Sequence, residues 1–320
     1  MSHAAVTILG SANMDVVFTV DRIPMPGETL LASASANFAG GKGLNQAVAA
    51  SRAGAVTRFL GALGGDDFGE SLATTMSDEG IANALVRRVA APTGQAFIVV
   101  DAKGENTIIV ASGANGELTG LRDDELHAAR TTDVLLMQLE IPMATVIEGA
   151  AAARAADRTV ILNAAPAEKL SPELFDSLDY LIVNEHEACL IGESEDLDVA
   201  SATLAKRVGR LIVTLGSKGS VLYESGKEVA RVIAPRVKAV DTTGAGDTFC
   251  GAFAAAIAEG LSYAEAARFA SAAAALSVQS VGAVPSVPSR AAIDEALEKA
   301  AIEHGIVERL GLDAVTEAVE

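Results

Sequence analysis

The chain has 320 residues, half of them hydrophobic and 21% charged, which supports one large globular domain or two ordinary ones and excludes a disordered polymer. Its 24 basic and 42 acidic residues give a formal net charge of −18, a surface that repels phosphate backbones and anionic lipid, so nucleic-acid and membrane partners are not expected. Two cysteines, Cys189 and Cys250, are too few for a disulfide framework or a zinc site and point to a reducing, cytoplasmic setting.

In chain order, Met1–Val6 lacks a basic stretch ahead of an apolar run, so no secretory leader is expected, and no apolar run reaches the roughly 20 residues that span a bilayer. Val6–Gly10 is a short apolar run ended by glycine and reads as a buried strand. Asp15–Asp21 reads as a second strand, residues 22–27 as a turn with two prolines, and Thr29–Phe38 as a third strand. Gly40-Gly41-Lys42-Gly43 then runs into a helix over Leu44–Ala53. Val56–Leu60 is predicted as a strand and Asp67–Gly80 as a helix; Ala96–Val100 and Thr107–Val110 are strands joined by a hairpin loop. Strands follow at Val134–Leu139, Val160–Leu162, Tyr180–Val183 and Leu211–Leu215, with helices at Met143–Ala156, Glu185–Ile191 and Val199–Val208. Val221–Tyr223 and Val229–Ile233 form a second hairpin, and Gly246–Glu259, Ala264–Val278 and Arg290–His304 are helical. The acidic end of the chain reads as a further helix or a frayed tail.

Strands and helices alternate over most of this length, which implies an α/β domain with a mainly parallel sheet covered by helices on both faces. The antiparallel segments interrupt that rhythm twice. They suggest a small sheet projecting from the main domain as a lid: residues 1–12, 39–92 and 112–320 form the core, and 13–38 and 93–111 a discontinuous β lid.

Several familiar chemistries are missing. There is no Gly-x-x-x-x-Gly-Lys-[Ser/Thr] phosphate loop and no Gly-x-Gly-x-x-Gly fingerprint, which argues against a nicotinamide-dependent oxidoreductase. His186-Glu187 lacks a second histidine at zincin spacing, and no Gly-x-Ser-x-Gly elbow occurs.

The strongest positive element is Asp241-Thr242-Thr243-Gly244-Ala245-Gly246-Asp247, a glycine-rich turn feeding an apolar helix. Unpaired N–H groups at such a helix start form an anion site, and glycine lets a phosphate approach the backbone. Asp247 reads plainly as a helix cap; with that anion site and Asp241 beside it, the same carboxylate suits a general base that deprotonates a hydroxyl attacking a phosphoryl group. Gly40–Asn45 offers flexible backbone, a cation and a carboxamide, or simply a turn before a helix. Asn13-Met14-Asp15 follows the first strand and would bond sugar hydroxyls, or form an Asx turn. Asn184-Glu185-His186-Glu187 and Thr214–Gly219 both follow parallel strands, where α/β ligands bind; their plain readings are a capped helix start and a simple turn.

Taken together, Gly40-Gly41-Lys42-Gly43-Leu44-Asn45, the Asn184-x-x-Glu187 pair and the Asp241–Asp247 run resemble the signatures of the ribokinase-like (PfkB) carbohydrate kinases, in order and over Val6 to Leu297. Gly10–Asp15, Pro26–Thr29, Asn45–Ala49, Met137–Glu140, Asn163–Ala167 and Pro285–Pro288 resemble that family's ribose-phosphorylating members more closely still. The resemblance implies a three-layer αβα Rossmann-like fold and ATP-dependent phosphorylation of the 5-hydroxyl of D-ribose. By the same resemblance, Asp247 is the base, and Gly244, Ala245 and Gly246 supply the anion hole. Asn13, Asp15, Gly41, Lys42, Asn45 and Glu140 hold the sugar. Asn184, Thr214, Gly216, Ser217, Lys218, Gly219, Gly246 and Ser271 line the nucleotide site, and Glu187 places Mg²⁺ through water. Asp241, Thr243, Ser277, Ser280, Gly282 and Ser286 surround a monovalent cation, K⁺, mostly through carbonyl oxygens. The lid also joins two subunits into a homodimer.

Ser271 stands where the family often places a larger polar side chain near adenine, and Thr243 replaces a common aliphatic residue. Cys250, one helical turn after Asp247, reads as packing, with no base or cation nearby in the sequence. The alternatives to a ribose kinase are a kinase of the same family for deoxyribose, a nucleoside or another furanose, and a catalytically silent sugar-binding protein on the same fold.

Overall fold

A computed structural model describes residues 4–310, with side chains to residue 300. In chain order the elements are β1 (Ala5–Leu9), β2 (Asn13–Thr19), β3 (Ala34–Gly40), α1 (Lys42–Arg52), β4 (Val56–Leu60), β5 (Ala62–Gly64), α2 (Asp67–Asp78), β6 (Arg87–Val89), β7 (Gly94–Val100), β8 (Asn106–Ala111), α3 (Asp123–Thr131), β9 (Val134–Met137) and α4 (Met143–Arg154). There follow β10 (Thr159–Asn163), α5 (Pro172–Ser177), β11 (Tyr180–Asn184), α6 (Glu185–Ile191), α7 (Leu197–Ala205), β12 (Arg210–Thr214), β13 (Ser220–Glu224), β14 (Lys227–Val232), α8 (Ala245–Ala258), α9 (Tyr263–Ser277), α10 (Ala283–Ser286) and α11 (Arg290–Leu310).

Eight strands form the central sheet in the order β14-β13-β12-β11-β10-β9-β1-β4. The pairs from β12 to β4 are parallel, and the β13–β14 hairpin adds antiparallel strands at one edge. The inner strands β1, β9, β10 and β11 are mostly apolar because both faces are covered, whereas the edge strands β4 and β14 carry Arg58 and Lys227, Glu228 and Arg231. Ile8, Leu136, Ile182 and Ile212 pack on one side with α1, α8 and α9. Their neighbours Leu9, Leu135, Leu181 and Leu211 pack on the other with α4, α5, α6 and α7. This alternation, fixed by the two-residue period of a strand, makes the three αβα layers expected from the sequence.

A second, four-stranded sheet has the order β3-β2-β7-β8. Both expected antiparallel pairs are present, β2 with β3 and β7 with β8, and a parallel β2–β7 pairing joins them. Phe38, Phe97, Ile108, Ile109 and Val110 of this sheet are exposed.

Several boundaries differ from expectation. β3 begins at Ala34 rather than Thr29, because residues 21–33 form a largely exposed loop closed by the Ser33 amide on Thr19 O (2.8 Å) and by an Arg22–Glu28 ion pair. β9 stops at Met137 rather than Leu139, since Gln138 leaves the ladder and the Leu139 amide bonds Ala165 O (2.9 Å). β5, β6, α3 and α5 carried no clear signal: the two strands have three residues each, α3 is rich in charge, and α5 is a six-residue turn opened by Ser171-Pro172. The last helix runs to Leu310, past His304. The expected acidic tail lies outside the described residues from 311 on. No described helix is long and apolar enough to cross a membrane.

Candidate active site

The chain leaves β1 toward β4 on one side and later returns to β9 on the other, so strand order reverses between β1 and β9. Parallel sheets bind ligands in the crevice beyond the strand ends at such a point. Here Ser11, just after β1, donates from Oγ to Glu140 Oε2, just after β9, at 2.6 Å. The same carboxylate oxygen accepts the Lys42 amide at 3.1 Å, tying the start of α1 to the crevice. Gly41 precedes that helix with φ 88°. A Cβ there would sit 2.7 Å from Asn13 N, so both the left-handed backbone and the close approach require glycine.

Asp247 lies in the first turn of α8, on the opposite wall, and is 8% exposed. It does not cap the helix; Gly244 does, in the left-handed region at φ 74°. Ala245 N donates to Thr242 O (3.2 Å) and Thr248 N to Gly244 O (2.8 Å). The Gly246 and Asp247 amides between them have no partner among the described residues, and no side chain caps the turn. The helix therefore presents free N–H groups at its positive end beside a carboxylate. Both carboxylate oxygens accept from amides on α1: Oδ2 from Asn45 Nδ2 (3.0 Å) and Oδ1 from Gln46 Nε2 (2.9 Å). Gln46, Gln138 and Asn163, none of which has a role in the sequence reading, are linked to Asp247 by hydrogen bonds, Gln46 directly and the other two through it.

Asn13 Oδ1 accepts from Asn115 Nδ2 at 2.7 Å, and Asn115 also bonds both the amide and the carbonyl of Ala12 (3.0 and 3.2 Å). Asn115 is buried in a short 3₁₀ turn and was invisible to sequence patterning. Asp15 lies against Gly40, where a Cβ would meet its Oδ2 at 2.2 Å. Burial, then the charges of Glu140 and Asp247, push its carboxyl up from 3.8 to about 7. Lys42 offsets this crowding: Asp247 first, then Glu140 and Glu187, hold its ammonium above the ordinary value despite burial.

The Asp15 shift carries a stability cost. The native state holds a proton there between about pH 4 and 7 that the unfolded chain has released, so stability falls as pH rises through that window. Asp15→Asn removes the charge. After allowance for solvent relaxation around a partly accessible group, the variant is expected to be ~2 kcal/mol more stable at pH 8 than the parent, with a smaller gain at pH 5. Urea midpoints at the two pH values measure this, and an equal gain at both would refute the linkage.

Two cavities meet here, with Thr214 and Gly246 lining both. The smaller, about 150 Å³, is walled by Lys42, Asn163, Asn184, Glu187, Asp247 and Cys250. The larger, about 390 Å³, lies between Gly216, Ser217 and Gly219 on one side and Phe249, Ser271 and Ala275 on the other. Lys218, in the same turn as Ser217, is not on its wall. Asn184 and Glu187 form a reciprocal cap on α6, Asn184 N to Glu187 Oε2 and Glu187 N to Asn184 Oδ1, both 2.8 Å. The plain reading of that pair holds, and so does its place on the cavity wall. Burial raises the Glu187 carboxyl above its usual range, outweighing the Asn184 amide.

Cys250 has neighbours that sequence distance concealed: Lys42, Asp247 and Glu187 all act on it electrostatically. Burial, followed by those carboxylates, pushes the thiol well above its ordinary range, consistent with packing rather than reactivity.

Of the residues assigned to the cation, Asp241, Thr243 and Gly282 are joined directly. Asp241 Oδ1 accepts from Thr243 N (2.9 Å) and Oγ1 (2.7 Å), and Oδ2 from Gly282 N (2.8 Å). Burial opposes the Asp241 charge, but these donors prevail and keep the carboxyl below the usual range. Ser277 and Ser286 spend their hydroxyls on Ala274 O and Ala283 O, both at 2.9 Å, and Ser280 N bonds Ser277 O (3.3 Å). No cluster of three or more His, Cys, Asp or Glu that would hold a metal occurs among the described residues.

The profile of the pfkB family carbohydrate kinases matches residues 3–290. The ribokinase of Haemophilus influenzae is 42% identical over 282 residues, covering 85% of this chain and 91% of that protein; that of Arabidopsis thaliana is 40% identical over 292 residues, covering 87% and 77%. The structure of Arabidopsis thaliana ribokinase complexed with ribose and ATP superposes with a TM-score of 0.87 at 39% identity, covering 92% of this chain and 99% of that one. Ribokinase from Thermotoga maritima gives 0.86 at 38%, with the same coverage. A three-layer core whose crevice brings Asp247, Lys42 and an open helix N-terminus together, matched along nearly its whole length by one family, makes the conclusion direct: this chain belongs to the pfkB family of carbohydrate kinases.

Proposed function

We propose that the protein transfers the γ-phosphoryl group of ATP to the 5-hydroxyl of D-ribose, giving ribose 5-phosphate and ADP. The observation that carries this reading is Asp247, a buried carboxylate whose own amide and that of Gly246 are free at the helix start, on the wall of a cavity that meets a larger one. Ribose lies over Asn13, Asp15, Gly41, Lys42, Asn45 and Glu140. Asp247 takes the proton of the attacking hydroxyl as its oxygen bonds to phosphorus, while the bond from that phosphorus to the β–γ bridging oxygen breaks and ADP leaves. The Gly246 and Asp247 amides beside Gly244 stabilise the charge on the transferring group, the Ala245 amide being taken by Thr242 O instead of joining the anion hole, and Lys42 adds a cation on the same side. The adenosine part of ATP fills the 390 Å³ cavity, which is within the usual range of about 300–1,000 Å³ for such ligands.

The residues fit the two implied cations. One Glu187 oxygen accepts the Asn184 amide and the other has no partner among the described residues, which suits a Mg²⁺ ion that keeps its water. Both Asp241 carboxylate oxygens already accept hydrogen bonds from Thr243 and Gly282, so backbone carbonyls around it would hold K⁺. When bound, both add positive potential beside the phosphates. The second sheet serves as the lid over the crevice, and its exposed Phe97, Ile108 and Ile109 suit a homodimer contact. The two free cysteines fit a cytoplasmic protein.

Release of ADP from ATP and Mg²⁺ with ribose, 2-deoxyribose, fructose, adenosine and uridine, with and without K⁺, tests this reading. Turnover is expected to be strongest on ribose and raised by K⁺. A site built to bond the 2-hydroxyl discriminates against deoxyribose by up to about 10⁴-fold. Preference for another substrate would move the specificity, and ribose binding without turnover on any would leave only a sugar-binding protein.

A further inference from the structure

Behind Asp247 lies a chain of buried carboxamides. Gln46 Nε2 donates one hydrogen to Asp247 Oδ1 (2.9 Å) and the other to Asn163 Oδ1 (3.1 Å). Gln46 Oε1 accepts from Gln138 Nε2 at 2.6 Å. Asn163 is fixed in turn, since its Nδ2 donates to Ile182 O at 3.2 Å. Gln46 and Gln138 are fully buried, and Asn163 nearly so.

This arrangement admits one orientation. Turning the Gln46 amide over would set its oxygen against two acceptors and its nitrogen against the Gln138 donor. The far end of Gln138 is costly: its Oε1 is buried with no partner, pressed so close to Gly10 that a Cβ there would lie 1.9 Å away. An orphaned buried amide oxygen destabilises a fold, so a leucine of similar shape would serve packing as well. What glutamine adds at 138 is the donor that locks Gln46. The Asn45 side chain is held by one hydrogen bond, Nδ2 to Asp247 Oδ2, while its buried Oδ1 has no partner, so it would turn over only if residue 247 offered a donor there.

We propose that Gln46, latched by Gln138 and Asn163, is a positioning residue that fixes the Asp247 carboxylate in the rotamer from which it meets the attacking hydroxyl. The proposal rests on the reading of Asp247 as the base. The latch links the ends of β9 and β10 to α1 and α8, so the aim of the carboxylate is set by the sheet rather than by its own helix. Neither Gln138 nor Asn163 touches Asp247; both act through Gln46.

The test uses the whole protein and steady-state kinetics with ribose and ATP. Gln138→Leu exchanges one orphaned oxygen, its own, for another, Gln46 Oε1, so the melting temperature is expected to stay near the parent's. Its kcat is expected to fall about 10-fold with the ribose KM changed less than about threefold, the scale for misplacing a reacting group without removing it. Gln46→Met is expected to cost about 10²-fold in kcat. The double variant should be no worse than Gln46→Met alone, because Gln138 has no other route to Asp247. A Gln138→Leu enzyme with parental kcat overturns the latch. So does a double variant whose losses multiply, which would mark independent structural contributions. Asp247→Asn run in parallel separates the two ideas: if it turns over normally the base assignment has failed, whereas a crippled Asp247→Asn beside a normal Gln138→Leu removes the latch alone.

Discussion

Asp247→Asn is expected to lower kcat by at least about 10²-fold while leaving the melting temperature and ribose affinity close to those of the parent, since the loss of a general base has that scale. The structure explains why the fold should tolerate it. An asparagine at 247 accepts with one atom and donates with the other, whereas the carboxylate accepts from both Asn45 and Gln46. Gln46 cannot turn over, so the new carbonyl must face it. Asn45 can, and its unpartnered Oδ1 then accepts the new amide. The substitution thus exchanges one unpartnered buried atom, Asn45 Oδ1, for another, Asn45 Nδ2, while removing the carboxylate proposed to take the proton. Isothermal titration with ribose and single-turnover phosphorylation measure the two halves separately. Near-normal turnover would end the assigned role.

Gly251→Ala should produce the second large effect, through packing. Gly251 sits where α8 crosses α1, and a Cβ there would lie 2.3 Å from Gln46 O, 2.6 Å from Ala49 Cβ and 2.9 Å from Ala50 N. Two of these atoms are backbone, so the helices must separate. Overpacking of this kind costs about 1–3 kcal/mol, which chemical denaturation reads. The separation also carries Asn45 and Gln46 away from Asp247, so kcat is expected to fall about 10-fold. At Gly65 a Cβ would meet nothing within 4 Å, and Gly65→Ala is expected to change neither quantity. An active, equally stable Gly251→Ala enzyme would show that the helix spacing is not limiting.

The contrast between these residues shows what sequence carries. The strand Val56–Leu60 and the helix Glu185–Ile191 matched to the residue, because alternating burial along a strand and a capped first turn leave local patterns. Asp247 was legible because glycine, small residues and a carboxylate stand together before an apolar helix. Gln46, Gln138, Asn163 and Asn115 were not. Each is an ordinary amide in its own segment, and its meaning arises only when sheet order sets β9, β10, α1 and α8 side by side. Ser11 was hidden in the same way, since its partner Glu140 lies 129 residues on. The proximity of Lys42 to Cys250 belongs to this class too.

The pairing of α1 with α8 also bears on how the protein is made. Asn45 and Asp247 are 202 residues apart, yet their helices share one buried face. During synthesis Leu44, Ala47 and Val48 emerge long before Phe249 and Phe253 exist to cover them. At about 5–20 residues per second the interval is about 10–40 s, during which an apolar helix stands uncovered on a nascent chain. The crevice between α1 and α8 is therefore among the last parts of the molecule to form, and the ribosome-bound intermediate is the state most exposed to aggregation or to capture by a chaperone.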